Sequence, residues 1–241
     1  MPGRPVPRFT YVSGGHLTTA PDVVEDIAEE MNTSAYPAYS QTKFVAEMLV
    51  ARCAARFAEH GLLPSVSIIK PGLIMGDSRD GVSNTDDYMW RITASALEMG
   101  TFNGDENSMW LTAAGVDLVA RIVLDRCFDN GATSPVIEKI LSGVTMGEYW
   151  QIVSEETGKY AHGVGAAEWT SSLRSHVHDV GKTHRLWPVL HFVEDKGGVL
   201  GQPLNDLPLA VQRQYQQDVR MALRKSLRYL MAIGYIQSAK V

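Results

Sequence analysis

Tyr39 and Lys43 stand four residues apart in the run Tyr36-Pro-Ala-Tyr39-Ser-Gln-Thr-Lys43-Phe-Val-Ala-Glu47, where an irregular, proline-bearing approach gives way to a long apolar-periodic stretch. That spacing predicts one shared face of a helix opened by Tyr39. A phenol with an ordinary pKa near ~10 is a poor acid at neutral pH, but an ammonium one helical turn away favours the phenolate. Tyr39 is therefore a candidate proton donor to a developing oxyanion. Lys43, with three N–H donors, can also hold a sugar hydroxyl beside it. A partly buried tyrosine next to a solvated lysine has the same spacing, so the flanking stretches must separate the two readings.

Those flanks read as alternating strands and helices. Arg8-Phe-Thr-Tyr-Val-Ser13 is a short β-rich run that stops at Gly14-Gly15, and a parallel sheet delivers a strand-end hydroxyl such as Ser13 to its carboxyl edge in this way. The helix opened by Tyr39 is expected to run to about His60, with Phe44, Met48, Ala51 and Ala55 on its apolar face and Gly61 as its stop. Pro64–Gly76 then gives a β-branched run ending in Pro71-Gly72, read as the next parallel strand, buried on both faces. Pro-Gly fixes a turn there and lets backbone approach a flat ligand closely.

Asp77–Asp87 is a polar loop too long for a mere connector, and its tail caps a helix from Tyr88 to about Met99. Leu111–Phe128 is expected to be one amphipathic helix, Pro135–Leu141 a strand, and Thr145–Tyr160 a helix stopped by Gly158. Glu168–Val180 and Leu207–Gly234 read as further helices, and Val23–Met31 as a short one whose Glu25, Asp26, Glu29 and Glu30 form a solvated face. His176, His178, His184 and His191 lack the spacing of a helix-face metal pair and read as solvated or core histidines, so no metal is expected.

A net charge of −5 with no block of basic residues argues against binding nucleic acid or an anionic membrane. Cys53 and Cys127 lie far apart in helical patterns and read as buried free thiols of a reducing compartment. No apolar run reaches the ~18 residues of a membrane span, and the first residues lack the apolar core of a signal peptide. The expectation is a soluble, cytoplasmic protein acting on a small-molecule or protein-borne substrate.

In order, a strand ending in Ser13, Tyr39-x-x-x-Lys43 opening a helix, and a strand ending in Pro71-Gly72 resemble the extended short-chain dehydrogenase/reductases. K-P-G-L-I-M-G-D-S-R-D-G with N-T-D-D-Y-M-W-R, A-A-G-V-D-L-V-A-R and S-L-R-Y-L-M-A-I-G-Y-I narrow the resemblance to terminal thioester reductase domains of nonribosomal peptide and polyketide synthases. From about Arg8 to the C-terminus, the resemblance implies an α/β fold. Residues 1–142 would be the C-terminal part of a Rossmann-like domain, and residues 143–241 a mainly helical substrate subdomain, with elements free to interleave.

The resemblance further implies NADPH as cofactor and the phosphopantetheine thioester of a carrier protein as partner. Tyr39, Lys43 and Ser13 would be catalytic, and Tyr39, Lys43, Pro71, Gly72, Leu73 and Ile74 would face the cofactor. Two departures stand out. The hydroxyl of the family pattern usually falls one place after Ser13, where this chain has Gly14. The T-G-x-x-G-x-x-G phosphate loop that opens the family's fold is not found, so a partial, truncated parallel sheet is expected. Such a sheet would have an edge and faces to cover, by self-association or by a missing N-terminal half.

Three functions follow as expectations. The first is reductive release of a carrier-bound polyketide or peptidyl thioester as an aldehyde, by a longer or assembled unit. The second is cofactor-independent acid/base cyclisation of Dieckmann or aldol type on the Tyr39/Lys43 pair. The third is a non-catalytic pseudo-reductase.

Overall fold

The computed structural model describes residues 8–14, 38–61, 65–128, 136–203 and 216–239. The expected helix Val23–Met31, the part of the last expected helix over residues 207–215, and Gly15 lie outside them. The chain divides into two compact units that interleave in sequence, residues 1–72 with 118–140 and residues 73–117 with 141–241.

The first unit is built on a parallel sheet of β1 (Arg8–Val12), β2 (Ser65–Lys70) and β6 (Val136–Lys139), in the order β1-β2-β6. All six residues of β2 are buried, as its unbroken β-branched pattern predicts for a central strand covered on both faces. Helix α1 (Ala38–Glu59) links β1 to β2 in chain order, and Gly61 follows it. Of the expected apolar face, Phe44, Met48 and Ala51 are half-buried and Ala55 is exposed, while the two fully buried residues of the helix are Glu47 and Ala54. Cys53, expected to be buried, is likewise on the exposed side, and Cys127 is half-buried.

In the second unit, β3 (Leu73–Met75) pairs parallel with β5 (Trp110–Gly115), which pairs antiparallel with β7 (Gly143–Thr145); β4 (Thr101–Asn103) and β8 (His162–Val164) form a separate parallel pair. Leu111–Gly115 is thus strand, and helix begins only at Val116, in α3 (Val116–Phe128). Every residue of β5 is buried, so no polar face marks its period, and a short run of small and apolar residues does not distinguish strand from buried helix.

Helix α2 (Tyr88–Met99) starts where expected. Asp87 accepts the Met89 N–H at its N-cap, and the left-handed Gly100 ends it. Helix α4 (Met146–Thr157) has Thr145 and Gly158 in the same roles. Helices α5 (Ala166–Val180) and α6 (Leu190–Lys196) follow, and then α7 (Gln216–Ala232). The core of this unit gathers Trp90, Tyr149, Trp169, Leu173, Leu223 and Leu227, all essentially out of solvent.

Helices α4 and α7 are also joined by charge. The Glu156 carboxylate accepts from Arg228 Nε at 2.7 Å and from Arg224 Nη1 at 2.8 Å, while Arg224 Nη2 reaches Glu155 at 2.6 Å. The two guanidinium groups, Arg228 first, hold the Glu156 carboxyl below its ordinary 4.5. A folded-state pKa below the unfolded one contributes stability that is present above about pH 4.5 and lost as pH falls through the folded value. Glu156→Gln is therefore expected to lower stability in urea at pH 7, with the wild-type and variant curves drawing together as pH falls below 4.5 and through the folded-state value. Curves that stay equally far apart at both pH values would refute the linkage.

Candidate active site

The carboxyl edge of the first unit's sheet brings together the ends of three strands and the first turns of α1. The ladder continues past β1, where Ser13 N donates to Ile69 O at 2.8 Å, and past β2, where Ile140 N donates to Lys70 O at 2.9 Å. Ser13, Gly14, Lys70, Pro71 and Gly72 therefore arrive at one edge in fixed register. Pro71 is buried, and Gly72 turns the chain with φ of +69°, a conformation that glycine adopts without steric cost.

Tyr39 and Lys43 open α1 on a shared side, as their spacing predicts. Lys43 Nζ lies 5.8 Å from the Tyr39 ring centroid and 5.4 Å from that of Tyr11 on β1, within reach of both aromatic faces. Tyr39 is about half exposed, at 48%, so an incoming group can reach its hydroxyl. A Cβ built on Gly14 would stand 3.2 Å from Tyr39 Oη. Position 14 is thus the place from which a strand-end side chain would meet the tyrosine hydroxyl.

Ser13 is placed differently. It is buried, and its Oγ donates to Glu47 Oε1 at 2.5 Å. A serine hydroxyl has one proton. While that proton is on the hydrogen bond to Glu47, Ser13 has only acceptor capacity left and cannot donate to an oxyanion.

The other oxygen of Glu47, Oε2, takes Lys70 Nζ at 2.9 Å, in an ion pair whose side chains are 3% (Lys70) and 9% (Glu47) exposed. Glu47 and Lys70 stand inside the quoted stretches but were given no role from the sequence. The available signal was a charged residue at the inward i+4 position after Lys43, and a lysine closing an otherwise apolar strand. Lys139 follows Lys70 in register on β6, and burial together with the Lys70 charge holds its pKa below the ordinary value.

Leu73 and Ile74 are half-buried in β3 of the second unit, paired with Ala113 and Ala114. Among the described residues, no helix is long and apolar enough to cross a membrane.

Residues 8–123 match the Male sterility protein family of NAD-binding domains. The chain is 41% identical over 246 residues to the nonribosomal peptide synthetase atnA of Emericella nidulans, covering 96% of this chain and 3% of that protein. It also resembles the solved reductase domain of PhqB from Penicillium fellutanum, with a TM-score of 0.75 and 26% identity over 94% of this chain and 59% of that one. The terminal R domain of the myxalamid pathway shares the fold, with a TM-score of 0.67 at 20% identity over 96% of this chain and 60% of that one. The chain therefore spans a small part of the curated relative and about three fifths of each solved reductase domain.

Removing one partner of a buried ion pair leaves an uncompensated charge and costs roughly 3–5 kcal/mol. Glu47→Gln is expected to destabilise the first unit by about that amount, because Lys70 stays buried. The double variant Glu47→Leu with Lys70→Met should recover most of the loss. Chemical denaturation of the three proteins checks this, and a double variant no better than the single one would refute it.

Proposed function

We propose that this chain, whose residues 8–123 belong to the Male sterility protein family and which is homologous to the terminal reductase domains of nonribosomal peptide synthetases, serves reductive release of a carrier-bound acyl or peptidyl thioester as an aldehyde. The observation that carries the reading is the arrangement at the sheet edge: a reachable tyrosine hydroxyl, a lysine ammonium one turn away, and a glycine turn closing the neighbouring strand.

The reduction consumes a hydride and a proton, converting the thioester to an aldehyde and a free thiol. NADPH, when bound, supplies the hydride. Tyr39 delivers the proton to the oxygen on which charge develops. Lys43 keeps positive charge beside that oxygen and offers N–H donors to ribose hydroxyls. Gly72 at the strand end leaves room for a flat ring against the backbone. These residues fit the nicotinamide end of the cofactor; the Gly-rich phosphate motif of the family is not among the 241 residues. Leu73 and Ile74 are assigned to the cofactor side on family resemblance.

Ser13 is not assigned the oxyanion, because Glu47 holds its proton. Its part is to tie β1 to α1. Position 14 is the better place for a donor, and here it is vacant of any side chain.

The test uses the catalytic unit that contains these residues, with an acyl-phosphopantetheine thioester and NADPH. Tyr39→Phe is expected to slow aldehyde formation by about 10²–10⁴, with nucleotide fluorescence still quenched on binding. Gly14→Ser is expected to raise the rate on the order of tenfold, a fraction of the 10²–10³ that one oxyanion donor supplies elsewhere. An unchanged rate in Tyr39→Phe, or release of the acyl group at full rate without nucleotide, would overturn the proposal.

A further inference from the structure

The histidines that looked scattered in sequence are not all apart in the second unit. His176 on α5 and His184, just after the tight turn Gly181–Thr183, meet with ring centroids 5.0 Å apart and planes at 90°. Glu98 on α2 completes the group, and one ligand atom from each residue lies within 4.8 Å of the other two. All three line an open cavity of about 460 Å³ with Thr183, Arg185 and Tyr235.

Two features point to a ligand. His184 is buried at 4% exposure, and its Nε2 has no hydrogen-bond partner among the described residues; the same holds for Nε2 of His176. Buried polar atoms are ordinarily satisfied, so two unpaired ring nitrogens beside a carboxylate call for an ion or water between them. In addition, Glu98 is already oriented. Its Oε1 accepts from Arg185 Nη2, while Oε2 faces His176 Nε2 at 3.9 Å. Metal-binding carboxylates are commonly held from behind by an outer partner in this manner.

We propose that Glu98, His176 and His184 form a site for one divalent transition-metal ion. Two imidazoles and one carboxylate suit zinc(II), which takes such ligands at about 2.0–2.2 Å in a tetrahedral arrangement. Ligand atoms then stand roughly 3.4 Å apart, so the present cluster, whose atoms lie within 4.8 Å of one another, must close by up to about 1.4 Å on loading. The fourth position faces the cavity and takes water.

One existing bond must yield. His184 Nδ1 accepts the Leu186 N–H at 3.0 Å, which places the ring proton on Nε2. Metal at Nε2 moves that proton to Nδ1, so the Leu186 bond opens as the site loads. The site is independent of the reductase reading and can stand or fall without it.

The experiment titrates zinc(II) alone, and separately cobalt(II) alone, into the metal-stripped 241-residue chain. Calorimetry should give one equivalent of zinc, and cobalt should give the visible absorption of a tetrahedral site. The amide resonance of Leu186 should shift as zinc is added. His176→Gln, at a half-buried position that tolerates change, and Glu98→Gln should each weaken zinc binding at least tenfold, and His184→Gln should abolish it, with far-UV circular dichroism checking that each variant is folded. No saturable binding, or one equivalent still bound with unchanged affinity by folded His176→Gln and Glu98→Gln variants, would overturn the assignment.

Discussion

The Glu47 carboxylate is the constraint on which the first unit's edge depends. One group accepts from Ser13 at the end of β1 and from Lys70 at the end of β2, so a single charge ties two neighbouring strands to the helix that crosses them. Buried ion pairs contribute little net stability against well-packed hydrocarbon, because both ions give up water. Their geometry is nevertheless demanding. The Glu47 carboxylate meets Lys70 only at one setting of α1, so rotating or sliding the helix would break this ion pair. Lys43 lies one turn earlier on the same helix and Tyr39 two turns earlier, and that registry fixes where their heads point.

A serine one residue early is not equivalent to a serine in the expected place, because the two positions meet different residues of α1. The Ser13 hydroxyl is absorbed into the Glu47 pair, whereas a side chain at position 14 would stand beside the Tyr39 hydroxyl, and here that residue is glycine. The chain thus keeps an acid and an ammonium at the edge while its nearest hydroxyl is structural.

Legibility in sequence followed how local each determinant was. Helix α2 could be read because Asp87 and Gly100 bracket its periodic run, and β2 because a β-branched stretch between a helix and Pro-Gly has few alternatives. The step from β5 to α3 was not legible, since a strand buried on both faces shows no alternation. On α1 the apolar spacing found Phe44, Met48 and Ala51, which are half-buried, but not the buried Glu47 beside them, because no local rule says that a glutamate will find Lys70 twenty-three positions on. The pairing of His176 and His184 with Glu98 escaped for the same reason: three elements contribute one residue each, and sequence spacing records only ligands that share an element.

Charge at the sheet edge carries the argument one step further. The chain as a whole is acidic, with a net charge of −5, yet the carboxyl ends of β2 and β6 present Lys70 and Lys139 side by side, with the Glu47 carboxylate buried against Lys70. Burial and the adjacent Lys70 hold Lys139 below its ordinary pKa, which is the cost of gathering like charges there. Negative charge brought to this edge would offset that cost.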